Sequence, residues 1–311
     1  MIIHTIPPTS LPSPASPLII TAEPFTREAF APFGQAISNP RPDLRPPLSS
    51  SSSSSSAVAV AEEEAAAGFG AVPANQGSAI QYRALASIRE LYGQAPSARR
   101  ATPRLTMFVC GARQPEPGGE GEGEGGNETY RVAVLERHPF TSQTFIPLAA
   151  GAEARYLVVV APTRAADSLD ADADADAGGA LPVPVPVPSS SEEEEKEEKR
   201  LPGPGLPDVR ALRAFVASGA QAVTYGPGTW HAPMMALGPR GSALDFLVVQ
   251  FANDVPLEDC QEVVLGEGEG KGEGEKEGVT GGARVLVRLP NARGEEEEEE
   301  EGGRGGAGAK L

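Results

Sequence analysis

The sequence predicts a mainly β fold, a β-barrel or sandwich with two or so short helices and disordered low-complexity insertions. Three observations predict it. Short apolar runs recur between Gly and Pro turn signals. Only two stretches carry helix start and stop signals. Between the apolar runs lie segments with too few apolar side chains to offset the entropy of ordering them.

In chain order, residues 26–33 read as a helix, capped by Thr26 and stopped by Gly34. Residues 104–113, 130–138, 144–148 and 155–161 read as strands. Residues 208–218 read as a second helix: Asp208 caps it, Val209, Leu212, Phe215 and Val216 form its apolar face, and Gly219 ends it. Residues 221–225, 243–251 and 283–289 are the remaining strands. Within 130–138, alternation puts Val132, Val134, Glu136 and His138 on one face. Two valines leading to a carboxylate and an imidazole look like a wall running from a core into a polar mouth, where a small barrel holds a ligand. The same alternation turns Arg137 outward, as a surface or interface charge. Trp230 reads as packing.

The insertions are a serine run at 49–56, Gly/Glu repeats at 115–126, Asp-Ala, Val-Pro and glutamate tracts over 167–200, and Gly/Glu/Lys at 266–278. One domain is therefore expected over residues 17–290, interrupted by disordered loops near 41–67, 115–128, 164–205 and 266–281. A disordered acidic tail over 291–311 follows. Surface loops of this kind cost little closure entropy.

The net charge of −17 describes those tracts rather than a site, since Glu192–Glu195, Glu197, Glu198 and Glu295–Glu301 supply thirteen of the negative charges. No basic stripe is present to meet phosphate, which argues against nucleic acid and anionic membranes as partners. No stretch is apolar and long enough to span a bilayer, and the N-terminus does not read as a signal peptide. Cys110 and Cys260 have neither CxxC spacing nor a disulfide framework, and read as small buried residues in a reducing compartment. The terminal Ala309-Lys310-Leu311 resembles the Ser-Lys-Leu peroxisomal address, so import by its receptor is expected, and a cytoplasmic location otherwise.

Chemistry concentrates in two islands, Leu135-Glu136-Arg137-His138-Pro139-Phe140-Thr141-Ser142-Gln143-Thr144 and Tyr225-Gly226-Pro227-Gly228-Thr229-Trp230-His231. They hold two of the chain's three histidines. The first resembles a cupin motif in which Glu136 and Gln143 stand where the usual pattern has a histidine and a glutamate, with His138 between them. The second has the cupin proline-glycine turn ahead of His231. Glu136, His138, Gln143 and His231 are then expected to converge, as acid–base groups or as the ligands of a divalent transition metal.

Over most of its ordered length the chain resembles ureidoglycolate lyase. The resemblance rests on residues 135–148, on Leu212-Arg213-Ala214-Phe215 through Gly219 to Tyr225, and on Trp230-His231. Asn75-Gln76-Gly77 with Tyr82, Arg113, and Asp245-Phe246-Leu247 support it; Gln81 stands where the family often has a basic residue. The resemblance implies a cupin-like homodimer that cleaves (S)-ureidoglycolate to glyoxylate and urea, with nickel as the associated metal. Cleaving that substrate needs a base, an acid and a partner for the carboxylate: Glu136, His138 and His231 are expected to share the first two roles, Arg113 to hold the carboxylate, Asn75 and Gln143 to bond the ureido group, and Asp245 to orient an imidazole or arginine. Two alternatives stay open at this point. A metal cupin isomerase or dioxygenase requires a tightly bound metal. A non-catalytic cupin-like binding protein requires the acidic loops but neither histidine.

Overall fold

The architecture follows from one strand that is apolar on both sides. In β11 (Arg155–Ala161; strands are numbered in chain order) every residue after Arg155 is buried. Tyr156, Val158 and Val160 enter one core, and Leu157, Val159 and Ala161 enter another, as the two-residue strand repeat requires. A strand buried on both faces belongs in the middle of three layers.

A computed structural model has those layers and describes residues 2–6, 17–46, 68–116, 128–164, 181–185, 201–265 and 285–290. The middle sheet runs β1 (Ile2–Ile6), β17 (Gln261–Leu265), β9 (Val134–Arg137), β14 (Trp230–His231), β11, β12 (Arg213–Ser218) and β3 (Glu23–Pro24), with β15 (Met235–Leu237) also paired to β11. On one side lies the sheet β4 (Gly34–Ile37), β13 (Ala222–Tyr225), β10 (Gln143–Leu148), β16 (Ala243–Ala252) and β7 (Thr102–Gly111). On the other lies β2 (Leu18–Thr21), β18 (Val285–Arg288) and β8 (Thr129–Val132). The pair β5 (Ala71–Ala74) and β6 (Ala79–Tyr82) forms a separate hairpin. Phe145, Tyr156 and Phe246 lock the first two layers together edge to face, at ring-centroid distances of 5.1 and 6.0 Å. The helix at Thr26 is shorter than expected, Arg27–Phe30, with the Thr26 side chain accepting from the Ala29 amide. No helix among the described residues is long and apolar enough to cross a membrane.

The mainly β expectation is met, but among the described residues no sheet closes into a barrel. One cause lies at Ala133, where the expected strand 130–138 breaks in two. β8 joins the three-stranded sheet and β9 the middle one. Val132 and Leu135 therefore enter the same core, which unbroken alternation forbids. The expected helix at 208–218 is also corrected. Asp208 caps only a single 3-10 turn, Val209–Ala211, and the chain continues as β12, with Phe215 opposite Val158. Ala214, Phe215 and Ala217 are all buried, and a short run that is apolar on both faces fits a central strand as well as a helix.

Arg137 does not face solvent. It is fully buried, with its guanidinium 4.4 Å over the Trp230 ring. It donates to Gln261 Oε1 and to the carbonyls of Gly203, Pro204 and Gly205. The Gly205 carbonyl also accepts from Trp230 Nε1 at 3.3 Å, so the arginine and the tryptophan hold this turn together. Gln261 in turn donates to the Pro182 carbonyl. Two stretches of the expected 164–205 loop are thus packed against the body of the fold. The serine run, the Gly/Glu tracts, the acidic tail and Ala309-Lys310-Leu311 lie outside the described residues.

Because Arg137 is fully buried and its loss leaves buried Gln261 Oε1 without this donor, Arg137→Ala is expected to cost about 3 kcal/mol or more of stability. Urea unfolding measures this, and an unchanged midpoint would contradict the role assigned to Arg137.

Candidate active site

Strand β14 is two residues long, yet it fixes the site. It pairs with β9 so that His231 lies opposite Glu136, and with β11 so that His231 also lies opposite Val160. The turn leading into it contains Gly228 at φ 76°, a left-handed conformation that favours glycine. The Gly228 amide donates to the His138 carbonyl at 2.8 Å. The two sequence islands are thereby tied together, and the His138 and His231 rings lie 5.6 Å apart.

Four of the expected site residues converge. Glu136 Oε1 is 3.5 Å from His231 Nε2. One ligand atom each from Glu136, His138 and His231 lies within 4.8 Å of the others. Gln143, at the start of β10 in the facing sheet, places Oε1 3.1 Å from His231 Nε2. The cluster therefore sits between two layers. Tyr225 forms one wall, stacked on His231 at 3.9 Å between ring centroids and 12° between planes.

The ring nitrogens are asymmetrically employed. His231 Nδ1 donates to the Thr229 carbonyl at 2.9 Å, and His138 Nδ1 donates to the Asp259 carbonyl at 2.7 Å. Both Nε2 atoms point into the cluster. His138 Nε2 is buried with no hydrogen-bond partner. His231 Nε2 faces the Gln143 and Glu136 oxygens, all acceptors, so a proton or a metal ion belongs between them. Gln143 is oriented by Gln250, whose Oε1 accepts from Gln143 Nε2 at 2.7 Å.

Electrostatics follow from this burial. Desolvation raises the Glu136 carboxyl, but the hydrogen bond to His231 and the attraction of that ring outweigh it and hold Glu136 below the ordinary carboxylate range. Burial, with the charge of His231, lowers His138 despite the attraction of Glu136. Near neutral pH the site thus pairs an ionised carboxylate with a neutral imidazole at 138. Burial also raises the Tyr225 phenol.

The other expected residues are not brought to the cluster. Asp245 lies opposite Leu148, five residues along β10 from Gln143, or about 17 Å at strand rise. Arg113 follows the same end of β7; both act on the part-buried Cys110 thiol, which burial raises first, Asp245 further, and Arg113 opposes. Asn75 is exposed in the turn between β5 and β6. Sequence reading missed Gln250, Thr229 and Asp259. Two of these contribute backbone carbonyls, which carry no residue signature, and Gln250 partners a residue 107 positions away.

Behind His138 lies a second polar cluster. Glu258 is 3% exposed and accepts from Ser97 N, Ser97 Oγ and Asn253 Nδ2. Desolvation raises its carboxyl, but these hydrogen bonds prevail and leave its pKa lowered.

The comparisons with known proteins agree with the geometry. The family profile described as ureidoglycolate lyase matches residues 17–270, a span containing all four clustered residues. The chain is similar to a ureidoglycolate lyase of Schizosaccharomyces pombe, 28% identical over 243 residues, covering 78% of this chain and 89% of the relative. It is similar to one of Saccharomyces cerevisiae, 32% identical over 203 residues, covering 63% and 79%. One of Burkholderia mallei is 28% identical over 235 residues, covering 76% and 84%.

The lowered Glu258 pKa yields a pH prediction. Its folded value lies below the unfolded one of about 4.3, so its contribution is full above that pH and is lost as pH falls through the folded value. The wild-type chain is expected to lose stability over this acid range, and Glu258→Gln to lose less of it. Parallel slopes in urea titrations from neutral pH to about pH 3 would contradict the assignment.

Proposed function

This chain belongs to the ureidoglycolate lyase family, carbon–nitrogen lyases of allantoin catabolism that release glyoxylate and urea, and we propose that Glu136, His138, His231 and Gln143 carry its chemistry. One observation carries the assignment: two buried imidazoles and a carboxylate bring ligand atoms within 4.8 Å of one another, with the Gln143 amide oxygen 3.1 Å from His231 Nε2.

Ureidoglycolate is a hemiaminal bearing a carboxylate. Its hydroxyl loses a proton, the C–N bond breaks as the new carbonyl forms, and the departing nitrogen gains a proton to become urea. One proton is lost at oxygen and one is gained at nitrogen, so the balance requires only a proton carrier. Ionised Glu136 accepts the hydroxyl proton. His231, 3.5 Å away, delivers a proton to the leaving nitrogen. His138, neutral and aimed by the Asp259 carbonyl, accepts a hydrogen bond through Nε2. Gln143 Oε1 accepts from the ureido N–H groups, its orientation held by Gln250.

A divalent transition metal, nickel by the family resemblance, fits the same residues. The unpartnered His138 Nε2 and the acceptor-facing His231 Nε2 are where a cation belongs, with Glu136 and Gln143 completing the donor set. Such an ion would counter the substrate carboxylate and lower the hydroxyl pKa. The (S) enantiomer is the substrate expected from the same resemblance.

The homodimer implied by the resemblance has a surface to use. β7 is a ten-residue strand that, among the described residues, pairs with β16 alone, with Leu105 69% and Val109 68% exposed. Met107 lies between them, and Ile146 and Leu148 of β10 extend the same apolar face. We place the twofold contact here, where a second β7 would cover an open edge.

Glu136→Gln and His231→Ala are each expected to lower turnover by orders of magnitude with the circular dichroism spectrum unchanged. A coupled glyoxylate assay on racemic ureidoglycolate, with and without chelator, reads this out. Near-normal urea release from both variants would sink the assignment. Light scattering on the eluting peak is expected to give a dimer for the wild type and a monomer for Leu105→Lys/Val109→Lys. A monomeric wild type would remove the contact.

A further inference from the structure

We infer that the helical turn Pro256–Asp259 is a positioning device for His138, and that Glu258, Asp259 and Tyr92 work through it to keep the His138 proton on Nδ1. The inference rests on the reading above that His138 serves the site through Nε2.

The bond at issue is His138 Nδ1 to the Asp259 carbonyl, 2.7 Å. That carbonyl is held in place. The amide on the other side of its peptide unit, Cys260 N, donates to the Pro256 carbonyl at 2.9 Å, and Asp259 N donates to Val255 O at 2.9 Å. The Asp259 carboxylate then closes the turn from outside. Its Oδ1 accepts from Tyr92 OH at 2.6 Å and Asn253 N at 2.9 Å, and its Oδ2 accepts from Asp254 N at 2.8 Å. Glu258, one residue earlier, accepts from Ser97 N, Ser97 Oγ and Asn253 Nδ2 at 2.6–2.8 Å. In these contacts both carboxylates bond N–H and O–H groups, so they act as fasteners of backbone rather than as members of ion pairs.

The fasteners lead back to His138 from its other side. The segment that supplies Tyr92 and Ser97 also grips the chain just past the imidazole. Leu91 N donates to the Phe140 carbonyl at 2.7 Å, and the Tyr92 ring packs on Phe140 at 5.7 Å between centroids. Tyr92 thus holds both ends of the His138–Asp259 bond, the acceptor through its hydroxyl and the donor through its ring. This matters because Glu136 would draw a proton to Nε2. A fixed acceptor at Nδ1 opposes that and leaves the Nε2 lone pair free for the cluster.

The chain has three histidines, so ¹⁵N-histidine labelling of the metal-free, full-length protein gives a readable tautomer spectrum. His138 and His231 are assigned by loss of signal in His→Gln variants. Well above the ordinary imidazole pKa of about 6.5, His138 is expected to carry its proton on Nδ1. In Tyr92→Phe and Glu258→Gln it is expected to become a mixture of tautomers. His231, bonded instead to the Thr229 carbonyl, is expected to keep its own state and serves as the internal control. Cobalt(II) affinity is expected to fall about 10–100-fold in both variants.

The tautomer is the deciding readout. A wild-type His138 protonated on Nε2, or a His138 tautomer unchanged in both variants, overturns the inference. Should Glu258→Gln fail to fold, Tyr92→Phe decides alone, since it keeps the ring against Phe140. No step uses substrate, so a wild type without lyase activity would overturn the functional reading while leaving this one intact.

Discussion

The pairing of a two-residue strand with both of its neighbours is the constraint on which the rest of this structure depends. β14 meets β9 on one side and β11 on the other, so His231 has Glu136 and Val160 as its register partners. Strand alternation then sends Trp230 into one core and His231 toward the other side of the same sheet. On the first side, Trp230 supports the buried Arg137. On the second, His231 meets Glu136 and Gln143. A one-residue slip would exchange these faces and put an imidazole into an apolar core.

The polar cluster is stabilised by arrangements that look structural in isolation. Thr229 and Asp259 meet the imidazoles through their carbonyl groups, and these set which nitrogen of each ring donates. Gln250 contributes one acceptor, and so decides which end of the Gln143 amide faces His231. In a buried site such choices carry weight, because an unsatisfied polar group costs more there than in water. His138 Nε2 is buried without a partner, and a proton donor or a cation would satisfy it.

The layered architecture also explains how a domain accommodates long low-complexity tracts. The apolar content is concentrated in strands such as β11, which serve two cores at once. Arg137 and Gln261 hold the two packed stretches of the longest insertion against the body of the fold, at Gly203–Gly205 and at Pro182.

Much of this was legible in the residues. Alternation and turn signals located β7, β10, β11, β13, β16 and β18, and the two islands named four residues that do meet. Other features were not. The break at Ala133, the strand at 213–218 and the burial of Arg137 each depend on what lies on the far side of an apolar or charged residue, which periodicity does not encode. Arg113 and Asp245 are expected at the site from their side-chain chemistry, but the direction of β10 and β16 carries them to the other end of the sheet. The sequence by itself determined the secondary-structure class, the low-complexity tracts and the chemical types gathered in the two islands, because these are local properties of composition and repeat. The tertiary structure alone decided the strand register, the tautomers and the choice of Gln250, Thr229 and Asp259 as supports, because each is a contact between residues far apart in the chain or a backbone group common to every residue.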